Sequence, residues 1–322
     1  MKAIIARDFG PLDQLVYGDW PEPQATGRTV VIEAEAIGVN YPDGLLVQGL
    51  YQMRPPTPFV PGMEVAGRVV AVGPEVTGFK PGDRVATFST HGCYAERVGV
   101  DQASVMKLPD SVSVEDACAL ICGYGTSHYA LKRRGMVRPG ETLAVLGASG
   151  ATGIAAIQIG KLMGARVIGV ASTDQKQAIA RQAGADIVMG YDNLRDRLKE
   201  ATGGHGIDVA FDPVGGDAFD GLARAMAWGG RLLVVGFASG AIPKFAVNLA
   251  LVKGFSVVGV YWGAYIEKEP KTYADDMREL IGWRLAGKLT PIIEGTYPLA
   301  DAADVLKRVL GRGSAGKLIL RP

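Results

Sequence analysis

The residues whose types and spacing most clearly imply chemistry run from Leu143 to Gly153: Leu143-Ala-Val-Leu-Gly147-Ala-Ser149-Gly150-Ala151-Thr152-Gly153. An apolar run ends in glycines three apart. A glycine-spotted apolar helical pattern (Ile154 to Gly164) follows, then a second apolar run, Ala165 to Ala171. This order predicts strand, tight turn, helix and strand. In such a βαβ unit the glycines let backbone approach a ligand, and the helix N-terminus offers free N–H groups to an anion. A dinucleotide pyrophosphate is the usual occupant, with Ser149, Gly150, Ala151, Thr152 and Gly153 expected to line it. The spacing is G-x-x-G-x-x-G, because Ala148 stands at the first glycine of the commoner G-x-G-x-x-G pattern.

The second strand of that unit indicates which dinucleotide. An NAD site places an acidic residue at the strand tip, about 20 residues past the turn, to bind ribose hydroxyls. Here the tip reads Ala171-Ser172-Thr173, with Lys176 three residues on. Two small hydroxyls and a cation suit a 2′-phosphate, so NADPH is the expected cofactor. Asp174 lies past the tip and is expected to cap a helix starting at Gln175.

Metal chemistry finds little support. Zinc needs three or four converging Cys, His or carboxylate ligands. The chain has three cysteines, Cys93, Cys118 and Cys122, and three histidines, with only His91 close to a cysteine. They read as buried thiols, too few and too irregular for a disulfide framework. No metal is expected.

Several kinds of element must position these residues. Of 322 residues 48% are hydrophobic, enough for two domains with large cores. The stretch to about residue 110 is rich in β-branched residues, Gly and Pro, with a first strand near Met1–Asp8. Further strand-like runs lie at Thr29–Ala36, Gly67–Val72, Arg84–Thr87 and Glu96–Val100, an irregular all-β module. Helical character begins at Ser113. Strands are then expected at 142–147, 165–171, 186–191, 207–212, 230–237 and 255–262. Helices at Gln175–Ala183, Leu194–Ala201 and Ala218–Ala227 lie between them, the rhythm of a doubly wound parallel sheet. The tail (helix Thr272–Ala286, extended Ile292–Tyr297, helix Asp301–Leu310, strand Lys317–Leu320) breaks that rhythm and is expected to complete the N-terminal module. The expected domains are 1–122 with 263–322, and 123–262.

In this order the pieces resemble the medium-chain dehydrogenase/reductase superfamily, in its zinc-free quinone oxidoreductase (zeta-crystallin-like) branch. The resemblance covers essentially the whole chain. It rests on Gly38-Val-Asn40-Tyr-Pro-Asp43, Gly49-Leu-Tyr51, Pro61-Gly-Met-Glu-Val-Ala-Gly67, Lys80-Pro-Gly-Asp-Arg-Val85, the glycine turn, Asp212-Pro-Val-Gly-Gly216, Gly236-Phe-Ala-Ser239 and Gly316-Lys-Leu-Ile-Leu320. It implies an α/β fold: a Rossmann sheet plus a GroES-like, mainly β substrate domain. Zinc-dependent relatives carry a cysteine where this chain has Asn40 and a histidine where it has Met63. The resemblance puts Asn40 and Tyr51 beside the nicotinamide. Asn40 would donate its amide N–H to a substrate oxygen or hold the nicotinamide ribose, and Tyr51 would donate its phenolic O–H to a substrate carbonyl. Asp43 and Glu64 read as acceptors that hold loops. The resemblance further carries Thr126 to the nicotinamide, Tyr191 to the 2′-phosphate, Phe237 and Ala238 to the carboxamide, and Lys317 to the pyrophosphate.

Without a strong Lewis acid, the acceptor should spread the hydride's charge over a conjugated system, as a quinone or enone does. The expected function is therefore NADPH-dependent reduction of a quinone or α,β-unsaturated carbonyl. Reduction of an enoyl thioester and a non-catalytic NADPH-binding structural role stand as alternatives. With 34 basic and 33 acidic residues the net charge is +1, which gives no electrostatic footprint for nucleic acid or an anionic membrane. The run Lys132-Arg-Arg134 reads as a solvated helix end. The uncharged stretch Thr142–Gly160 is interrupted by glycines and is no membrane span. A reducing, cytoplasmic setting is expected, with no signal peptide at the N-terminus. The apolar run Phe255–Trp262, on a final edge strand, implies a homodimer.

Overall fold

Alternating β-branched residues build the first unit, as the computed structural model of residues 1–322 describes it. It comprises Met1–Cys122 and Ile293–Pro322. A small antiparallel pair, β1 (Lys2–Ile5) and β2 (Val16–Asp19), precedes the long β3 (Thr29–Val39). β3 runs into a short helix, α1 (Tyr41–Val47). Next come β4 (Glu64–Val72), β5 (Arg84–Phe88), β6 (Arg97–Asp101), β7 (Val105–Lys107) and helix α2 (Val114–Ala119). β3 is the hub: it pairs antiparallel with β4 and β6. Its inward side chains Val30, Ile32, Ile37 and Val39 enter one core with Val65, Val69, Val85 and Val98.

The second unit, Gly123–Ile292, follows the βα rhythm. After α3 (Gly125–His128) come β8 (Thr142–Leu146), α4 (Ala151–Leu162), β9 (Arg166–Val170), α5 (Asp174–Gln182), β10 (Ile187–Met189), α6 (Leu194–Ala201) and β11 (Ile207–Asp212). α7 (Ala218–Ala225), β12 (Met226–Val234), α8 (Asn248–Lys253), β13 (Ser256–Gly259), α9 (Trp262–Lys268) and α10 (Pro270–Leu285) complete it. The six strands form one parallel sheet in the order β10-β9-β8-β11-β12-β13. β8 is buried at every residue, which is why it reads as an unbroken apolar run. Chain order reverses between β8 and β11, and ligands of such sheets bind at the carboxyl ends of the strands at that point.

The chain then returns to the first unit through β14 (Ile293–Pro298), α11 (Ala302–Leu310) and β15 (Lys317–Arg321). β15 lies antiparallel to β3, with Leu318 opposite Val39, and β14 lies beside it.

Three expectations need correction. The return comes at Ile293, thirty residues after the expected 263, because α9 and α10 pack within the second unit. Trp262 lies against Gly125, where a Cβ would come 2.6 Å from the indole, and Lys132 and Arg133 form ion pairs with Glu279 and Asp276 of α10. Those pairs correct a second expectation: Lys132 and Arg133 are bonded, and Arg134 donates to the Gly259 carbonyl at 3.0 Å. Third, the last strand stops at Gly259, and Trp262 is a buried helix residue. The pattern also gave no sign of β2, α1, β7, α8 and α9. α1 is seven residues long with Pro42 and Gly44 inside it, so its local propensity is poor.

Candidate active site

In the first unit the site grows from the end of β3. Asn40 is the N-cap of α1, and Asp43 closes the turn: its Oδ2 accepts the Asn40 backbone N–H at 2.8 Å and the Tyr94 hydroxyl at 2.9 Å. Asp43 is fully buried, and burial pushes its carboxyl up to about 7 despite those two donors. Glu64, the first residue of β4, lies opposite Gly38 in the β3–β4 register. Only glycine fits there, since a Cβ would stand 1.9 Å from Glu64 Oε1. Glu64 Oε2 accepts the Cys122 N–H at 2.9 Å, and its Oε1 forms an ion pair with Lys317.

Lys317 is 2% exposed. The β3–β15 register brings it to Asn40, and its Nζ donates to Asn40 Oδ1 at 2.8 Å. Burial pulls its pKa down, but the Glu64 carboxylate outweighs that and holds the ammonium above its ordinary value. Lys317, expected to reach a pyrophosphate, has its ammonium engaged by Glu64 and Asn40 within the first unit. Asn40 Nδ2 is likewise buried, yet it has no partner. Tyr51, half-buried, packs on a small apolar cluster of Ala6, Leu46, Phe59 and Met63. Asn40 and Glu64 thus form one polar cluster with Lys317, while Tyr51 belongs to the adjoining apolar one. Sequence reading took Glu64 as a loop acceptor and missed its ion pair. The signal available was Gly38, the small residue that clears room for the carboxylate.

In the second unit the glycine turn sits at the carboxyl end of β8. Gly153 is required by close approach: a Cβ there would stand 2.2 Å from the Gly147 carbonyl oxygen. Gly150 is the N-cap of α4 and brings no side chain to cap it, so the first N–H groups of α4, from Ala151, Thr152 and Gly153, await an acceptor. Ser149 is buried in the turn itself. Thr126 is half-buried on α3, beside Ser127, whose hydroxyl lies 2.8 Å from the Thr152 carbonyl and so ties α3 to the start of α4. At the tip of β9, Ser172 and Thr173 are exposed and Lys176 is half-buried. Thr173, not Asp174, caps α5: its Oγ1 accepts the Lys176 N–H at 3.3 Å, and Asp174 is the first helical residue. Tyr191 reaches the turn, its hydroxyl accepting the Gly147 N–H at 3.0 Å. After β12, Ala238 N–H donates to Pro213 and the Phe237 carbonyl accepts from Gly240.

One further group of ligand-type residues occurs, His128, Asp276 and Glu279. It is already occupied by charge. Glu279 accepts from His128 at 2.7 Å and pairs with Lys132, while Asp276 accepts from Arg133 at 2.6 Å and from Tyr265 at 2.7 Å. The His128 ring, whose Nδ1 lies 3.6 Å from Asp276 Oδ2, together with Arg133 and Tyr265, outweighs burial and holds the Asp276 carboxyl well below its usual range.

Comparison with known proteins bears on both units. The profile of the alcohol dehydrogenase GroES-like domain matches residues 26–110, and that of the zinc-binding dehydrogenases matches residues 151–281. A quinone oxidoreductase-like protein 2 homolog from Nematostella vectensis is 36% identical, over 99% of this chain and 88% of its own length. Quinone oxidoreductase from Homo sapiens is 33% identical, over 99% of this chain and 97% of its own. The crystal structure of Escherichia coli quinone oxidoreductase complexed with NADPH superposes with a TM-score of 0.93 at 29% identity, covering 100% of both chains.

Proposed function

Because the chain belongs to the quinone oxidoreductase branch of the medium-chain dehydrogenase/reductase superfamily, we propose that it reduces a quinone or an α,β-unsaturated carbonyl with NADPH and without zinc. The observation that carries this reading is Asn40. At a position where zinc relatives hold a metal ligand, this chain has an amide whose buried N–H₂ group lacks a partner. A buried donor left unpaired costs about 1–3 kcal/mol, which a ligand oxygen would recover.

The cofactor's fit is supported within the second unit. The uncapped N-terminus of α4 suits a pyrophosphate. The backbone bonds after β12 leave Phe237 N–H and Ala238 C=O, a donor and an acceptor that match a carboxamide. Ser172, the Thr173 O–H and Lys176 suit a 2′-phosphate, and Tyr191 borders the glycine turn at Gly147. NADPH, when bound, supplies the hydride.

Zinc fits poorly. Met63 is buried among Ala6, Leu46 and Phe59, and Asn40 has its oxygen engaged by Lys317. The first unit would instead act through hydrogen bonds. Asn40 Nδ2 and the Tyr51 hydroxyl would donate to oxygens of the bound molecules and offset negative charge as it develops on a carbonyl. A few neutral donors suffice where conjugation delocalises that charge and fall short for a simple ketone.

A panel following NADPH oxidation with quinones, enals and enoyl-coenzyme A esters tests the substrate class. Fastest turnover on quinones or enones supports the proposal. Preference for the thioesters would make this an enoyl-thioester reductase, and no turnover on any of them would leave a binding protein.

Two companion readings belong here. β13 is an edge strand with Val257 exposed, and the chain leading into it carries exposed Ile242, Val247, Leu251 and Val252, with Trp228 lying on Gly254. These support a homodimer. The three cysteines are free thiols, in keeping with a reducing, cytoplasmic setting.

A further inference from the structure

Lys317, Glu64 and Asn40 come from three distant parts of the chain and meet inside the first unit. Glu64 keeps the lysine charged in a place where burial alone would discharge it. An ammonium has hydrogens to give and no lone pair to offer. The atom of Asn40 that faces it at 2.8 Å must therefore be the amide oxygen. That assignment turns Nδ2 the other way, where it is buried and unpartnered.

We propose that Lys317 is the positioning residue of this site: its ammonium, held by Glu64, locks the Asn40 amide so that only N–H is presented to bound molecules. The inference rests on the reading of Asn40 as a working donor. It goes further in denying Asn40 any role as an acceptor, so Asn40 should engage a carbonyl or ether-type oxygen and never an N–H. The nearby positive charge also polarises the amide and strengthens its donors. Without the lysine the amide could present either edge, and part of the population would oppose a carbonyl with its own oxygen.

Lys317→Met alone would leave Glu64 as an unpaired buried charge, so the informative variant is Lys317→Met with Glu64→Gln. Its kcat on an enone should fall about tenfold or more, with NADPH affinity within about threefold of wild type. Adding Asn40→Ala to that pair should cost less than about threefold more, because the amide is already disordered, while Asn40→Ala alone should cost about tenfold. A purely structural lysine would give losses that multiply. Asn40→Asp gives a second test that keeps the lysine's partner. Its carboxylate still accepts from Lys317, so thermal stability should hold, but it has no N–H and should turn over enones as poorly as Asn40→Ala. Wild-type kcat in the Lys317→Met/Glu64→Gln variant, fully multiplicative losses, or a fully active Asn40→Asp overturns the positioning role. A silent Asn40→Ala instead removes the donor reading beneath it.

Discussion

Tyr51 and Lys176 make the sharpest residue-level predictions, because each would contribute one bond to one ligand. Tyr51→Phe should slow reduction of enones more than of good quinones, since the better electrophile depends less on a donor. Losing one such bond costs about 1–3 kcal/mol, roughly tenfold or more in rate. Steady-state kinetics on matched substrates measures this, and equal rates throughout would make Tyr51 a lining residue of the apolar cluster it packs on. Lys176→Ala should raise the dissociation constant for NADPH by roughly ten- to a hundredfold and leave that for NADH nearly unchanged, as loss of a charge-assisted bond to a 2′-phosphate requires. Titration of both cofactors at fixed ionic strength decides it; equal weakening would point to Asp174 and a ribose hydroxyl. At this scale the glycine turn was legible, because Gly147, Gly150 and Gly153 are local and their spacing has a backbone reason. The Thr173 cap was not, since Thr173 and Asp174 are both good capping residues and only geometry separates them. The partners of Lys317 were illegible for a different reason. They lie at positions 40 and 64, and nothing near residue 317 announces them.

Among the elements, α1 and β13 each carry a measurable consequence. The α1 turn is closed by Asp43, whose carboxyl is raised from 3.8 to about 7 by burial. The folded state then holds that proton more tightly than the unfolded chain. Its contribution to stability is full below about pH 4 and is lost as pH rises through 7. Asp43→Asn can still accept from Asn40 and Tyr94 but cannot ionise. Between pH 5 and 8, urea denaturation should show wild type losing stability relative to Asp43→Asn; parallel curves would refute the buried-proton account. The edge strand β13 makes the other prediction: light scattering at micromolar concentration should return a dimer, and Val257→Lys should shift it toward monomer. A wild-type monomer would sink this reading. Long elements with strong periodicity were visible beforehand, α6 to the residue and β11 likewise. The short ones were invisible because three to seven residues are too few to carry a period, and Pro42 and Gly44 weaken α1 further. α1, with four of its seven residues buried, is a helix through tertiary packing, not propensity.

Across the whole molecule, the six-stranded parallel sheet and the return of the tail to the first unit followed from the βα rhythm and its breakdown after residue 262. The position of the return did not, because α10 is held in the second unit by Asp276 and Glu279 pairing with residues near 130, and ion pairs that far apart leave no local pattern. Family membership fixes an oxidoreductase scaffold. The reaction proposed on it turns on two substitutions, Asn40 and Met63, which replace ligand chemistry with a donor and an apolar wall. The most direct measurement is NADPH oxidation by protein that has been exhaustively chelated and checked for metal content, with a quinone, an enone and a saturated ketone as acceptors. Metal-free protein should turn over the quinone and the enone at the full rate and leave the saturated ketone untouched. Activity that disappears on chelation and returns with zinc, or comparable turnover of the saturated ketone, would contradict the account.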